Sequence, residues 1–169
     1  IVAGAVEVVA AVVERDGQYL ITRRLEGTHL AGLWEFPGGK SLPGEKPEDA
    51  LRRELKEELG VEVAVGELIQ TVDWTYPEKS VRLLFFRCAL AGEPMPLEGQ
   101  EMRWVPAADL PSCSFPDADA TLIDRLSRQK IHSVTRLVRK LDDALNNTSL
   151  ILLMEVGGLR MLFPGDAQI

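Results

Sequence analysis

Glu54, Glu57 and Glu58 stand at i, i+3 and i+4, so a helix would carry all three carboxylates on one face. Like charges placed this way repel. Glu58 also borders an apolar stripe of Leu51, Leu55 and Leu59, where partial burial makes its charge costlier. A hard divalent cation with oxygen ligands relieves such repulsion, and Mg²⁺ commonly joins carboxylates to substrate phosphates. Spacing alone equally fits a solvated acidic face with ordinary salt bridges. Arg53, four residues before Glu57, is placed to pair with it or to orient it.

The elements that must hold these residues follow from local signals. Pro47 to Leu59 predicts a helix: Pro47 suits the first turn, Glu48 and Asp49 suit its positive end, and Gly60 stops it. Val6 to Val13 is a β-branched run that reads as a buried strand. Arg15-Asp16-Gly17 is a turn signal, and Tyr19 to Thr22 resumes the strand pattern. Residues 25–44 are rich in glycine and proline and read mostly as loop. Val61 to Val65, Leu68 to Trp74, Val81 to Ala89 and Met102 to Val105 predict further strands. Ala107 to Leu110 predicts a helical turn, and Asp119 to Arg128 a helix. Short strands around one or two helices imply an α+β domain built in layers.

Residues 129–169 differ in texture. Lys130 to Leu145 reads as a basic amphipathic helix. Ser149 to Val156 and Leu159 to Phe163 flank Gly157-Gly158 as a hairpin. The expected organisation is one domain over residues 1–128 and an extension over 129–169.

Composition limits the partners. The chain has 169 residues, 46% apolar and 27% charged, which is enough for one domain with a core. Its net charge of −7 argues against binding long nucleic acid, while a bound metal leaves room for a nucleotide. No apolar run reaches the roughly 18 residues of a membrane span. Cys88 and Cys113, the two cysteines, have neither metal-ligand nor redox spacing. With no leader pattern read at Ile1 to Val13, the expected location is the cytoplasm, as a monomer or dimer.

Gly39 to Val61, GKSLPGEKPEDALRRELKEELGV, resembles the Nudix box. Gly39, Glu45, Arg53, Glu54, Leu55, Glu57, Glu58, Gly60 and Val61 fill its fixed positions over 23 residues. The similarity extends over residues 6–126 to the MutT-like branch. It is carried by Leu20-Ile21-Thr22-Arg23-Arg24, by Leu33 to Lys40 (LWEFPGGK), by Gly92-Glu93-Pro94 and by Glu98-Gly99-Gln100 before Trp104. The resemblance implies an α+β fold, a Nudix-type α/β/α sandwich with a mixed sheet, here followed by a helix and a β-hairpin. It implies Mg²⁺, with Mn²⁺ as an alternative, held by Glu54, Glu57, Glu58, Glu98 and the Gly38 carbonyl. Arg53 would orient the acidic cluster, Glu45 would brace it, and Gly39 and Gly60 would shape its ends. Arg24 would contact substrate phosphate, Lys40 would contact the substrate, and Trp34 or Phe36 would stack on a base.

The implied reaction is metal-assisted attack of water on a nucleoside triphosphate, releasing a monophosphate and pyrophosphate. The branch carries a polar recognition residue before its final helix, here Asp119. An oxidised-guanine hydrolase of this branch has asparagine there. Ionised aspartate only accepts hydrogen bonds, so the N7–H of an 8-oxo purine or the amino group of cytosine would suit it. Hydrolysis of 8-oxo-dGTP is therefore the leading expectation and of CTP, dCTP or modified pyrimidine triphosphates the alternative. A catalytically weak nucleotide-binding module and a DNA-repair recognition domain are readings of another class. Asn146 to Ala167 separately resembles a fragment of the metallo-β-lactamase fold, in which Asp166 would bind metal. The chain lacks that fold's HxHxDH cluster, its two histidines being His29 and His132.

Overall fold

A computed structural model of the protein describes residues 4–128, 138–139 and 141, and the backbone of 152–156 and 159–163. The chain divides into two compact units, Ile1–Ser127 and Arg128–Ile169.

The first unit contains strands β1 (Val6–Arg15), β2 (Gln18–Arg23), β3 (Trp34–Glu35) and β4 (Gly38–Lys40), then helix α1 (Pro47–Leu59). Strands β5 (Val63–Thr75), β6 (Ser80–Leu90) and β7 (Met102–Pro106) follow. A second helix, α2, covers residues 120–128. The seven strands form one mixed sheet in the order β3-β2-β1-β6-β5, with β4 added to β1 and β7 to β2. β1 runs parallel to β6 and antiparallel to β2 and β4.

Alternation along β1 assigns the two faces. Val9, Ala11 and Val13 pack with Leu51, Leu55 and Leu59 of α1. Ala10 and Val12 pack with Leu122, Ile123 and Leu126 of α2. The sheet therefore lies between two helices, as the α/β/α expectation requires. Arg125 ties α2 to the sheet through a 2.7 Å hydrogen bond to the carbonyl of Ile69.

Several boundaries differ from the sequence reading. Asp16 and Gly17 both have positive φ, 49° and 82°, which makes the β1–β2 turn tight and lets both strands run longer than expected. The two strands expected over 61–65 and 68–74 are one strand, β5, whose register shifts between Val65 and Gln70 against β6. Gly66 marks that bulge, and it interrupts the apolar pattern without ending the strand. Residues 34–35 and 38–40, read as loop, are strands because β2 and β1 supply their partners.

In the second unit, β8 (Leu152–Val156) and β9 (Leu159–Phe163) pair antiparallel, from Leu152 opposite Phe163 to Val156 opposite Leu159. The expected Gly157-Gly158 turn, Asp166, His132 and most of the 130–145 helix lie outside the described residues.

Candidate active site

Helix α1 begins with Pro47 in its first turn and ends on Gly60, which takes the left-handed conformation at φ 63°. Its buried leucines fix its rotation, and this places the acidic edge beside β4. There two glycines lie in close contact with their neighbours, Gly38 against backbone and Gly39 against a side chain. A Cβ on Gly38 would collide with the backbone of Val9 and Ala10, and one on Gly39 would overlap the Glu54 carboxylate. The sequence places both glycines in a segment that reads as loop. The structure shows that they allow close approach within a strand.

Arg53 is the hub of the acidic edge. Its Nε and Nη2 donate to the two oxygens of Glu45, each at 2.9 Å. Its Nη1 donates to Glu54 at 2.7 Å and to Glu57 at 3.5 Å, and Nη2 also reaches the Lys40 carbonyl at 3.0 Å. Glu45 in turn accepts the Leu42 amide at 2.9 Å. One guanidinium thus joins the loop, the strand and the helix.

A second set of bonds brings Glu98 to the end of α1. The Gln100 side chain donates to the Glu58 carbonyl at 3.1 Å and accepts the Glu98 amide at 2.9 Å. The Leu97 amide bonds the same Glu58 carbonyl at 2.9 Å. Two of these contacts satisfy one carbonyl left open at the helix end, that of Glu58.

Beside these elements lies a cavity of about 270 Å³. Its lining includes Gly38, Gly39, Lys40, Glu58 and Glu98, together with Arg24, Glu35, Phe36 and Asp119. Burial pushes the Glu58 carboxyl up to about 8, and repulsion from Glu35, Glu54 and Glu98 adds to the rise, against a hydrogen bond from the Gly38 amide. Asp119 is 6% exposed, and its pKa is raised to about 7 by burial and then by Glu35, while Arg24 pulls it down. Burial likewise raises Glu35, which Arg24 opposes.

The expected residues are not all brought together. Glu54 and Glu57 contact Arg53 and are not among the residues that line the cavity. Arg24 lines it, but its guanidinium is paired with Glu35 and bonds the His29 carbonyl at 2.6 Å. Phe36 lines it while packing edge-on to Phe85, with ring centroids 6.1 Å apart. Trp34 does not line it. That ring is buried in the core on the α2 side, with the guanidinium of Arg103 4.7 Å and that of Arg23 5.9 Å from its centroid. Burial and Glu35 thus favour the neutral form of Asp119, in place of the ionised one considered from the sequence.

The sequence reading assigned no role to Glu35, His29, Tyr76 or Lys79, which all line the cavity. Glu35 gave a signal, a charge set between two aromatic residues. The others gave none, because the β5–β6 hairpin and the 24–32 loop meet only in the folded chain. His29 and Tyr76 make an edge-on contact at 4.8 Å.

Among the described residues, no group of three acidic, histidine or cysteine side chains is arranged to hold a metal ion as it stands. The donor set nevertheless fits a hard divalent cation. The side chains are all carboxylates, and their mutual repulsion is what a cation would cancel.

A sheet between two helices, with Arg53 joining a glycine strand to an acidic helix, defines a class that comparison with known proteins makes definite. The NUDIX domain model matches residues 8–125, and the chain belongs to that family of phosphoanhydride hydrolases. It is 42% identical over 123 residues to the 8-oxo-dGTP diphosphatase of Haemophilus influenzae, covering 72% of this chain and 90% of that protein. It is 55% identical over 64 residues to the CTP pyrophosphohydrolase of Escherichia coli, covering 38% of this chain and 47% of that one. Among solved structures, that of the E. coli ORF135 protein superposes with a TM-score of 0.64 at 35% identity, covering 72% of this chain and 87% of that one. No helix among the described residues is long and apolar enough to cross a membrane.

Proposed function

We propose that this hydrolase cleaves nucleoside triphosphates to a monophosphate and pyrophosphate with Mg²⁺, and that it acts on 8-oxo-dGTP. The observation that carries the reading is one cavity lined by Gly38, Glu58 and Glu98 at the acidic helix and also by the buried carboxyl of Asp119. Glu54, Glu57, Glu58, Glu98 and the Gly38 carbonyl would hold the metal, with Mn²⁺ as a substitute. The metal would polarise the phosphates and offset their charge. Arg53 and Glu45 keep the acidic edge in register with β4. Gln100 keeps the Glu98 loop against α1, and Phe36 offers an apolar wall to a base.

Asp119 supplies the selectivity. In its neutral form it donates from one oxygen and accepts at the other, as asparagine does. 8-Oxoguanine presents O6 as acceptor and N7–H as donor, and it satisfies both. Unmodified guanine presents two acceptors and satisfies one. A pairing mismatch of this kind is worth about 1–3 kcal/mol, or tenfold to a hundredfold.

A second reading, hydrolysis of cytidine triphosphates, is favoured by the same residue, since Asp119 in either form accepts the cytosine amino group. The test is a kcat/KM panel of dGTP, 8-oxo-dGTP, CTP, dCTP and a 5-substituted dCTP, repeated with Asp119→Asn. A preference for 8-oxo-dGTP over all others supports the first reading, and a preference for a cytidine triphosphate replaces it with the second. Equal rates with dGTP and 8-oxo-dGTP, unmoved by the substitution, would remove Asp119 from base recognition.

A further inference from the structure

Arg24, Lys40 and Lys79 all line the cavity. Arg24 is engaged by Glu35 and by the His29 carbonyl. Lys40 and Lys79 form no ion pair among the described residues. They are close enough to feel one another: burial lowers the Lys79 ammonium, and Lys40 and Arg24 lower it further against the pull of Glu78. In a chain of net charge −7, ammonium groups could readily have been given carboxylate partners. The cavity also holds four carboxyls, Glu35, Glu58, Glu98 and Asp119, yet among the described residues neither ammonium pairs with one, which leaves both available to an anionic occupant.

Lys79 is held in place by its turn. The Tyr76 amide donates to the Lys79 carbonyl at 2.8 Å and the Lys79 amide to the Tyr76 carbonyl at 3.3 Å. The Tyr76 ring is anchored against His29 of the facing loop. The partly buried Lys79 therefore does not behave as a freely solvated surface lysine. Register places Lys40 at the same region of the sheet, since Val8 pairs with Lys40 on one side and with Leu83, four residues after Lys79, on the other.

We propose that Lys79, delivered by the β5–β6 turn, is a substrate-binding residue that shares the polyphosphate tail with Lys40. The assignment rests on the triphosphate reading above. A compact ammonium acts as a point charge, so its contribution grows with the charge of the phosphate chain and falls with salt.

The test is binding of tripolyphosphate to the full chain at low salt, by calorimetry. Lys79→Met should bind about tenfold more weakly than the parent, as expected for one charge-assisted contact. Lys79→Arg should recover most of the loss, and Lys56→Met, which removes a cation from α1 outside the cavity, should bind as the parent does. Raising the salt should shrink the difference. In kinetics, Lys79→Met should raise KM for triphosphates while product inhibition by the monophosphate moves less. The inference is overturned if Lys79→Met and the parent bind tripolyphosphate alike, if Lys56→Met loses as much, or if the parent binds none. A parent that binds tripolyphosphate through Lys79 but hydrolyses no triphosphate would overturn the proposed function and leave this anion site standing.

Discussion

The Glu54 carboxylate occupies the space beside Gly39 where any other residue would place its Cβ. Glu54 is otherwise tethered by Arg53 at 2.7 Å. Residue 39 therefore sets the position of the carboxylate as directly as residue 54 supplies it. Gly39→Ala should lower kcat/KM by about a hundredfold, the usual consequence of moving a reacting group by about 1 Å. Circular dichroism should show that the fold persists. A Gly39→Ala enzyme of parental activity would show that Glu54 need not lie there.

Arg53 makes a two-point fork to Glu45, and lysine cannot reproduce it. Arg53→Lys should keep the charge yet lose most of the turnover, with a fall in kcat larger than any rise in KM. The matching Glu45→Gln should be milder, because Arg53 retains Glu54, Glu57 and the Lys40 carbonyl. Steady-state kinetics on the two variants separates this positioning role from simple charge balance, under which Arg53→Lys would be nearly silent.

Asp119 predicts a pH dependence with a definite sign. Burial and then Glu35 raise its pKa from 3.8 to about 7, so the folded state holds a proton that the unfolded state has released. That contribution to stability is complete below about 3.8, falls as pH rises toward about 7, and is lost above. Asp119→Asn cannot titrate. It should therefore raise Tm more at pH 8 than at pH 5. The parent's kcat/KM for 8-oxo-dGTP, divided by that of Asp119→Asn, should fall as pH rises through about 7. A ratio that stays flat across this range would mean that the carboxyl does not change state in the substrate-binding pocket.

Local signals were legible in the sequence and tertiary ones were not. Pro47, the leucine repeat and Gly60 bound α1 at the residues observed, because capping and periodicity act within the helix itself. The acidic edge followed from the same periodicity. By contrast, β3 and β4 are strands only because β2 and β1 lie alongside, and Trp34 is covered by Arg103, which arrives on a distant strand. The charge state of Asp119 could not be read from its neighbours in sequence, because burial and Glu35 create it. Lys79 and Tyr76 reach the cavity through the pairing of β5 with β6, and no short-range pattern marks them.

All proposed site residues fall between Arg24 and Asp119, within the first unit. Ending the chain after Arg128 should therefore leave kcat/KM within roughly tenfold, about 1.4 kcal/mol of transition-state stabilisation. The paired β8 and β9 are apolar at most positions, and a two-stranded hairpin is marginal alone. Their removal should alter solubility or oligomeric state, as read by light scattering. Loss of hydrolysis in a folded, truncated monomer would show that the second unit completes the site.

The most direct test of the account is a product analysis with 8-oxo-dGTP, comparing the parent and Glu57→Gln, each with Mg²⁺ and with EDTA. The parent with Mg²⁺ should release monophosphate and pyrophosphate in equal amounts. EDTA should abolish both products, and Glu57→Gln, folded as the parent, should slow their release by about two orders of magnitude or more. Undiminished release by Glu57→Gln, or by the parent in EDTA, would contradict a metal-dependent site on the acidic face of α1.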